Sequence, residues 1–348
     1  MNEIEVSVIV CTKNRSDSLK SCFESLSIQK FSPYEVLVID SSDDDKQIIR
    51  NKALAETYMA KYIFYEHLPL ASARNLGIRM ARGKIIAFID DDCIATSDWL
   101  KKIHAALSIN ESVKICTGRT ITLRNRKKDE QDDCSDAERF LDFDKGTMKK
   151  FFTASDIRVG LNMFSSLSRL VPVQFKGRAP APWSVGSGSN MAFRREALNF
   201  VGFNEKLGLG SISRGGEDND IFYRALKTGF KIAYEPGATV YHARRTVEEL
   251  AQTAYNNGMG FAAIVKIHAL REPNFTVHFF LRIAHLFYLS LKYWKKGDRL
   301  MRNVLRAYLN GMFSAVFHQI EAQKVDKVDK LIIVPYTKLR MIYLCLRL

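Results

Sequence analysis

Three consecutive carboxylates, Asp90, Asp91 and Asp92, follow directly on the apolar run of residues 84–89 in KIIAFIDDDC. No folding rule asks for such a cluster, because adjacent anions raise each other's pKa unless a cation sits among them. A divalent metal is the simplest such cation. Side chains on an extended chain alternate faces, which places Asp90 and Asp92 on one side as a pair of oxygen ligands and Asp91 on the other. A hard ion such as Mg2+ or Mn2+ takes one or two protein carboxylates and fills its other positions with water and substrate phosphates. The alternative is a solvated acidic turn ahead of a helix starting near Ser97.

A second acidic pair opens a different kind of element. In SRGGEDNDIFYRALKTGF, Glu217 and Asp218 begin a helix whose N-terminal dipole favours anions, and Ile221, Phe222, Ala225 and Leu226 form its buried face. Acids at helix N-termini are common without any catalytic role, and position alone assigns these two none.

The elements that must position these groups read as an open α/β sheet. Residues 6–10 of EVSVIVCTKNR form a buried strand ending at Thr12, followed past Arg15 by a helix from about Ser16 with Leu19, Cys22, Phe23 and Leu26 on one face. YEVLVIDSSDDD is another apolar strand, delivering Asp40 and then Ser41 and Ser42 to the same edge. Strand ends of this kind are where open α/β sheets bind ligands, and a carboxylate there can accept from a base N–H or from ribose hydroxyls. LASARNLGIRMARG reads as a short helix with Ser72 at its cap and Arg74 and Asn75 in its first turn, where Arg74 could reach phosphate or base.

The ordered set strand-TKNR, strand-DSSDD, ARNLG, strand-DDD, GSGSNMAFRRE, GGEDND and YEPGATVYH resembles glycosyltransferase family 2, the nucleotide-sugar-dependent enzymes of the GT-A fold, over about residues 5–242. The resemblance implies a GT-A domain over residues 1–242 with a mostly parallel central sheet, and an inverting transfer of a sugar from a UDP- or dTDP-sugar to an acceptor hydroxyl in surface polysaccharide or glycolipid synthesis. Thr12, Arg15, Asp40, Ser42, Arg74, Asp90 and Asp91 are then expected around the donor. Asp90 and Asp92 match the DXD positions that serve ribose and metal, and His242 matches a histidine that in many members completes the metal site. An imidazole ligand tilts the choice between Mn2+ and Mg2+ toward Mn2+. The second residue of the Glu217–Asp218 pair supplies the base in that family, hence Asp218, with Glu217 orienting the acceptor or a loop. The segment from Trp183 through Gly188 and Asn190 is expected to border the acceptor. One departure is the DSSDD turn, where many members carry Asn or Gly.

Composition agrees with one enzyme-sized unit of 348 residues. Six cysteines lie scattered without CxxC or Cys/His zinc spacing, which suggests reduced thiols in a cytosolic protein. The first residues lack the basic start and long apolar core of a signal peptide. No GxGxxG, Walker loop or fixed-period repeat is present.

The net charge of +14 is uneven. Residues 241–348 hold 17 Lys/Arg against 7 Asp/Glu, so this final third, expected as a helical appendage over 243–348, carries most of the excess. Between Phe275 and Trp294, the polar His278, Arg282, His285 and Lys292 make one narrow stripe on an otherwise apolar helix. Arg282 near its centre would cost about 2.5–3.5 kcal/mol on membrane insertion. The following helix, with Asp298 as cap, carries apolar residues from Leu300 to Ile320, and VPYTKLRMIYLCLRL ends the chain with Lys338, Arg340 and Arg347 among apolar residues. Such helices either pack on one another or dock peripherally on an anionic membrane at the cytoplasmic face, which would suit a glycan or lipid-linked acceptor. Two other classes compete: a nucleotide-sugar-binding or scaffold protein without turnover, and a nucleic-acid binder using the basic tail, for which no recognisable motif is present.

Overall fold

A computed structural model describes residues 3–123, 150–152, 185–243, 245–272 and 274–317. Trp183 and the basic, apolar segment 334–348 lie outside the described residues. Strands β1 (Val6–Thr12), β2 (Tyr34–Asp40), β3 (Lys61–Phe64) and β4 (Ile85–Asp90) are mutually parallel, and β1 sits between β2 and β4. Their connections are helices α1 (Ser16–Ser27), α2 (Asp45–Thr57) and α3 (Leu70–Met80). The sheet continues through β5 (Cys93–Ala95), β6 (Val113–Thr122), β7 (Lys150–Phe152), β8 (Asn190–Arg194) and β9 (Lys231–His242), in the order β3-β2-β1-β4-β8-β6-β9-β5 with β7 beside β9. Strand β8 runs antiparallel to β4 and β6, while β6 and β9 are parallel.

The central strands are buried on both faces, which is why their sequences are unbroken apolar runs. Alternation then divides them between two cores. Ile9, Leu37, Ile39, Ile86 and Phe88 face one layer, and Val6, Val8, Val10, Val38, Ala87 and Ile89 face the other, against Leu19, Phe23 and Leu26 of α1 and Trp99, Leu100 and Ile103 of α4 (Trp99–Ser108). Helix α1 buries the expected Leu19, Cys22, Phe23 and Leu26. Two boundaries differ from the sequence reading. Helix α3 starts at Leu70 after Pro69, so Ser72 lies inside it and does not cap it; proline preorganises the entry, and the helix gains most of a turn. The acidic triplet leads not straight into a helix but into β5, which pairs with β9 before α4 begins.

After β8 come α5 (Arg195–Val201) and α6 (Glu217–Lys227), and after β9 come α7 (Val247–His268), α8 (Asn274–Lys295) and α9 (Arg299–Phe317). Thr246 caps α7 with a reciprocal Thr246–Glu249 capping box, and Asp298 accepts from the Met301 N–H at 2.8 Å at the start of α9. Helices α7 and α9 cross in near backbone contact. A β-carbon on Gly258 would lie 2.0 Å from the Tyr308 carbonyl oxygen, and one on Gly311 would lie 2.0 Å from that of Tyr255. Leu250, Met259 and Ile264 of α7 and Val304 and Met312 of α9 belong to the same apolar core as Ile9, Phe88 and Phe222, so burial runs without a break past residue 242.

Candidate active site

Thr12, Asp40 and Asp90 end β1, β2 and β4, in register with one another at the strand ends: Thr12 pairs with Asp40, and Cys11 with Asp90. Chain order reverses here, since β2 leaves β1 on one side and β4 joins it on the other, which makes the crevice a natural ligand site. Helix α6 brings its N-terminal acids to the same place. Gly216, with φ of 92°, allows the turn into α6, and a β-carbon there would sit 2.8 Å from the carbonyl oxygen of Gly260 in α7. A β-carbon on Gly260 would in turn lie 2.5 Å from the Gly215 carbonyl carbon. The turn before the two acids therefore rests directly on the backbone of α7.

One guanidinium organises the centre. Arg74, 3% exposed, donates to Glu217 Oε1 at 2.8 Å, to Asp90 Oδ1 at 3.2 Å and to the Gly188 carbonyl at 3.2 Å, and lies over the Phe203 ring at 5.4 Å. Gly188 is held from the other side as well, its N–H donating to Asp218 Oδ2 at 2.9 Å. A β-carbon on Gly188 would approach Arg74 to 3.0 Å, so glycine allows this close passage. Asp218 Oδ1 accepts from the Asn219 N–H at 2.7 Å, which fixes the carboxylate at both oxygens. Burial raises the pKa of Glu217, reinforced by Asp218 and opposed by Arg74, and burial likewise raises that of Asp218 against Arg74.

The raised pKa of Glu217 has a sign that can be measured. The fold keeps its proton to higher pH than the unfolded chain, whose value is near 4.5, so this contribution to stability is full below that pH and is lost as pH rises through the folded pKa. Without donor, the melting temperature is expected to fall between mildly acidic and mildly basic pH, and Glu217→Gln is expected to flatten that decline. Equal slopes in the two proteins would show that Glu217 is not the group responsible.

The triplet divides three ways. Asp91 is wholly buried, accepting from Thr12 Oγ1 at 2.7 Å and pairing with Arg15 at 2.7 Å, and burial pushes its pKa to about 7. Asp90 turns to Arg74. Asp92 meets Arg15 at 2.9 Å and lies 3.3 Å from His242 Nε2. Asp91 and Asp92 share the Arg15 guanidinium while Asp90 turns to that of Arg74, so Asp90 and Asp92 do not converge on one point, and the alternation expected of the strand does not set Asp91 apart from Asp92. The expected trio of Asp90, Asp92 and His242 is not brought together. Among the described residues, the group with mutually close donor atoms, all within 4.8 Å, is Asp92, Cys93 and His242, because β5 pairs Cys93 with His242.

That group fits a divalent cation through two of its members. His242 Nδ1 lies 3.0 Å from the Ala243 carbonyl, which assigns the proton to Nδ1 and leaves a lone pair on Nε2. The lone pair and Asp92 Oδ1 face each other as two acceptors, and the lone pair accepts here from the Arg245 guanidinium, whose place a divalent cation would take. Arg245 contacts the same Nε2 at 2.8 Å. Burial holds the Cys93 thiol well above its ordinary pKa, so it is a poor ligand for a hard ion.

Three further expected residues, like Asp91, are turned inward. Asp40 is fully enclosed and accepts from the Ser42 N–H at 2.9 Å, Asn51 at 3.0 Å and Tyr62 at 2.7 Å, so it holds the turn after β2 and presents no free edge to a base. Ser42, also buried, accepts from the Asn14 N–H at 2.8 Å. Asn190 accepts from Trp99 Nε1 at 2.9 Å and donates to the carbonyls of Arg119 at 2.9 Å and Ala238 at 2.8 Å, a buried brace joining β8 to α4, β6 and β9 with both N–H groups already used. Conversely, Arg245 escaped the sequence reading, although a basic residue three positions past His242 was a signal. Asp220 and His268, joined at 2.8 Å between α6 and α7, escaped it too.

Residues 7–201 match the family model for glycosyl transferase family 2. Glycosyltransferase AglE of Haloferax volcanii is 29% identical over 163 residues, 46% of this chain and 51% of that protein. Chondroitin synthase of Escherichia coli is 24% identical over 252 residues, covering 68% of this chain and 34% of that one. The chain therefore matches about half the length of these relatives or less. Among solved structures, the mannosyltransferase PcManGT from Pyrobaculum calidifontis, in complex with GDP-Man and Mn2+, superposes with a TM-score of 0.56 at 16% identity, over 91% of this chain and 88% of that one, a likeness of fold. With a GT-A sheet presenting acids at its rim and a family match over more than half of its 348 residues, the chain belongs to glycosyl transferase family 2.

Proposed function

We propose that this chain is an inverting glycosyltransferase that moves a sugar from a nucleotide-diphosphate donor to an acceptor hydroxyl, with the chemistry carried by residues 1–242 and supported by the helices of 243–348. The observation that carries it is the carboxylate of Asp218, fixed by the Gly188 N–H at 2.9 Å and joined through Gly188 and Arg74 to Asp90 at the end of β4. Asp218 takes the acceptor's proton as its oxygen attacks the anomeric carbon from the face opposite the donor phosphate. The bond from that carbon to the phosphate oxygen breaks, and its electrons leave with the diphosphate. Glu217 and Arg74 keep the base and the Gly188 turn in place. Asp92 and His242 would hold a divalent ion, Mn2+ or Mg2+, which would offset charge on the leaving diphosphate. Thr12 and Arg15 act through Asp91, fixing the triplet beside the donor.

The acceptor is a glycan or a lipid-linked sugar, the latter placing the enzyme on the cytoplasmic face of an anionic membrane. UDP- and dTDP-sugars remain the first donors to screen from the family resemblance, and because the enclosed Asp40 leaves the base unselected, GDP-mannose joins them. In a thermal-shift screen with and without Mn2+, one donor class is expected to raise the melting temperature only with the metal. Saturation at a hundred times the dissociation constant adds about 2.7 kcal/mol. Metal-independent stabilisation would remove Asp92 and His242 from the role, and stabilisation by no nucleotide sugar would remove the transferase reading.

A further inference from the structure

Helix α8 is turned inside out. Its two histidines are buried, His278 at 3% and His285 at 8%, and Arg282 lies over the Tyr308 ring of α9 at 4.8 Å. Burial drops both histidines to a pKa of about 4, so they are neutral where they pack. The opposite face carries Val277, Phe280, Phe287, Tyr288, Leu291 and Trp294, each between 47% and 64% exposed. Val277, Phe280, the exposed Ala284, Phe287, Leu291 and Trp294 recur every three or four residues, with Tyr288 beside Phe287, so these side chains form one continuous stripe along the helix. Exposed apolar residues scattered singly need no explanation, whereas a stripe running the length of a 22-residue helix does.

We propose that this stripe is a docking surface for an anionic lipid bilayer, on which α8 lies flat. Charge selects this occupant. Helix α8 contains no Asp or Glu, Lys295 extends from its last turn, and Arg271 lies exposed just before its start. Two copies of this face would therefore set cations against cations in either orientation, with no acid on the stripe to pair them, whereas an anionic surface complements the whole helix. Aromatic rings are suited to the interface, since an apolar body and a polar edge satisfy both sides of it, and Trp294 beside Lys295 forms such an anchor. No described helix is long and apolar enough to cross a membrane, so the arrangement is one of lying on the surface.

The start of α8 is tied to the catalytic helix. Phe275 packs edge-on against Tyr223 of α6 at 5.1 Å, and Glu272 pairs with Lys227 at the other end of α6 from Asp218. A docked α8 would hold α6 at the membrane surface, which deepens the lipid-linked acceptor reading and rests on it for its purpose. The test is co-sedimentation of the full chain with vesicles of phosphatidylcholine alone or mixed with phosphatidylglycerol. Wild type is expected to bind the mixed vesicles, and Phe287→Ser with Leu291→Ser to lower partitioning about a hundredfold, from about tenfold for each buried side chain lost. Lys295→Glu and added salt are expected to weaken binding further.

Failure to sediment with either vesicle, or equal binding to both, would overturn the proposal. So would a wild-type dimer in solution that the Phe287/Leu291 variant separates, because the stripe would then be a subunit interface. Donor-induced thermal shifts should be the same in wild type and in these variants, since no altered residue touches the candidate site. Vesicle binding without any donor shift would leave this proposal standing and remove the transferase reading instead.

Discussion

Asp218→Asn is expected to lower turnover by about 10²–10⁴-fold while leaving the donor's thermal shift almost unchanged. Asparagine keeps the shape and one acceptor oxygen, so either the Gly188 or the Asn219 N–H, now bound at 2.9 and 2.7 Å, retains its partner. What disappears is the ability to accept the proton of the attacking hydroxyl. Because that transfer occurs only in the transition state, kcat and kcat/KM should fall together. Steady-state kinetics with a saturating donor checks this. The neighbouring Glu217→Gln separates the two acids: Glu217 already spends one oxygen on Arg74 at 2.8 Å, and its amide can still accept there, so a milder loss is expected. If Glu217→Gln were the silent enzyme and Asp218→Asn the active one, the two roles would have to be exchanged.

Arg74→Ala should be the most destabilising single change in the site. Its guanidinium is 3% exposed, and its removal leaves Glu217, itself 8% exposed at the side chain, without a cation. Breaking a buried pair from one side costs about 3–5 kcal/mol, because the remaining charge is stranded. For a chain of 348 residues a fall in melting temperature of roughly 4–7 °C follows. The loss should be smaller at acidic pH, where Glu217 can bind a proton and the stranded charge vanishes, and larger at pH 8, where it cannot. Arg74→Lys should recover only part of it, since one ammonium cannot serve Glu217, Asp90 and the Gly188 carbonyl as a planar fork does. Thermal melts across pH decide the matter. A deficit independent of pH would assign the effect to lost packing over Phe203 and remove the electrostatic account.

The sheet was legible because its central strands are buried on both faces, and such burial writes itself as VSVIV, VLVI and IIAFI. The crevice was legible for the same reason, since polar residues can begin only where the apolar runs stop. What could not be read was the direction in which each polar residue turns. Asp40 follows its strand just as Asp90 does, yet Asn51 and Tyr62, brought by α2 and β3, enclose it completely. Asn190 was read as a site residue from the family resemblance of GSGSNMAFRRE, but three elements distant in sequence take up its hydrogen bonds. Alternation failed for the triplet because the strand ends at Asp90 and the pleat with it, so that Asp91 and Asp92 share Arg15 while Asp90 faces Arg74. The polar stripe of α8 was visible in its spacing; that the stripe faces inward depends on Tyr308, which no local pattern reveals.

The seat of the Gly215–Gly216 turn on Gly260 changes what the C-terminal helices are for. A chain cut after His242 would not shed an accessory; it would lose the floor beneath the two acids of α6. For the same reason a different tail would serve only where whatever replaces α7 again brings bare backbone, without a side chain, to one spot beneath that turn. Screening tails for a small residue at that depth would separate those that can host the reaction from those that merely follow it in the gene.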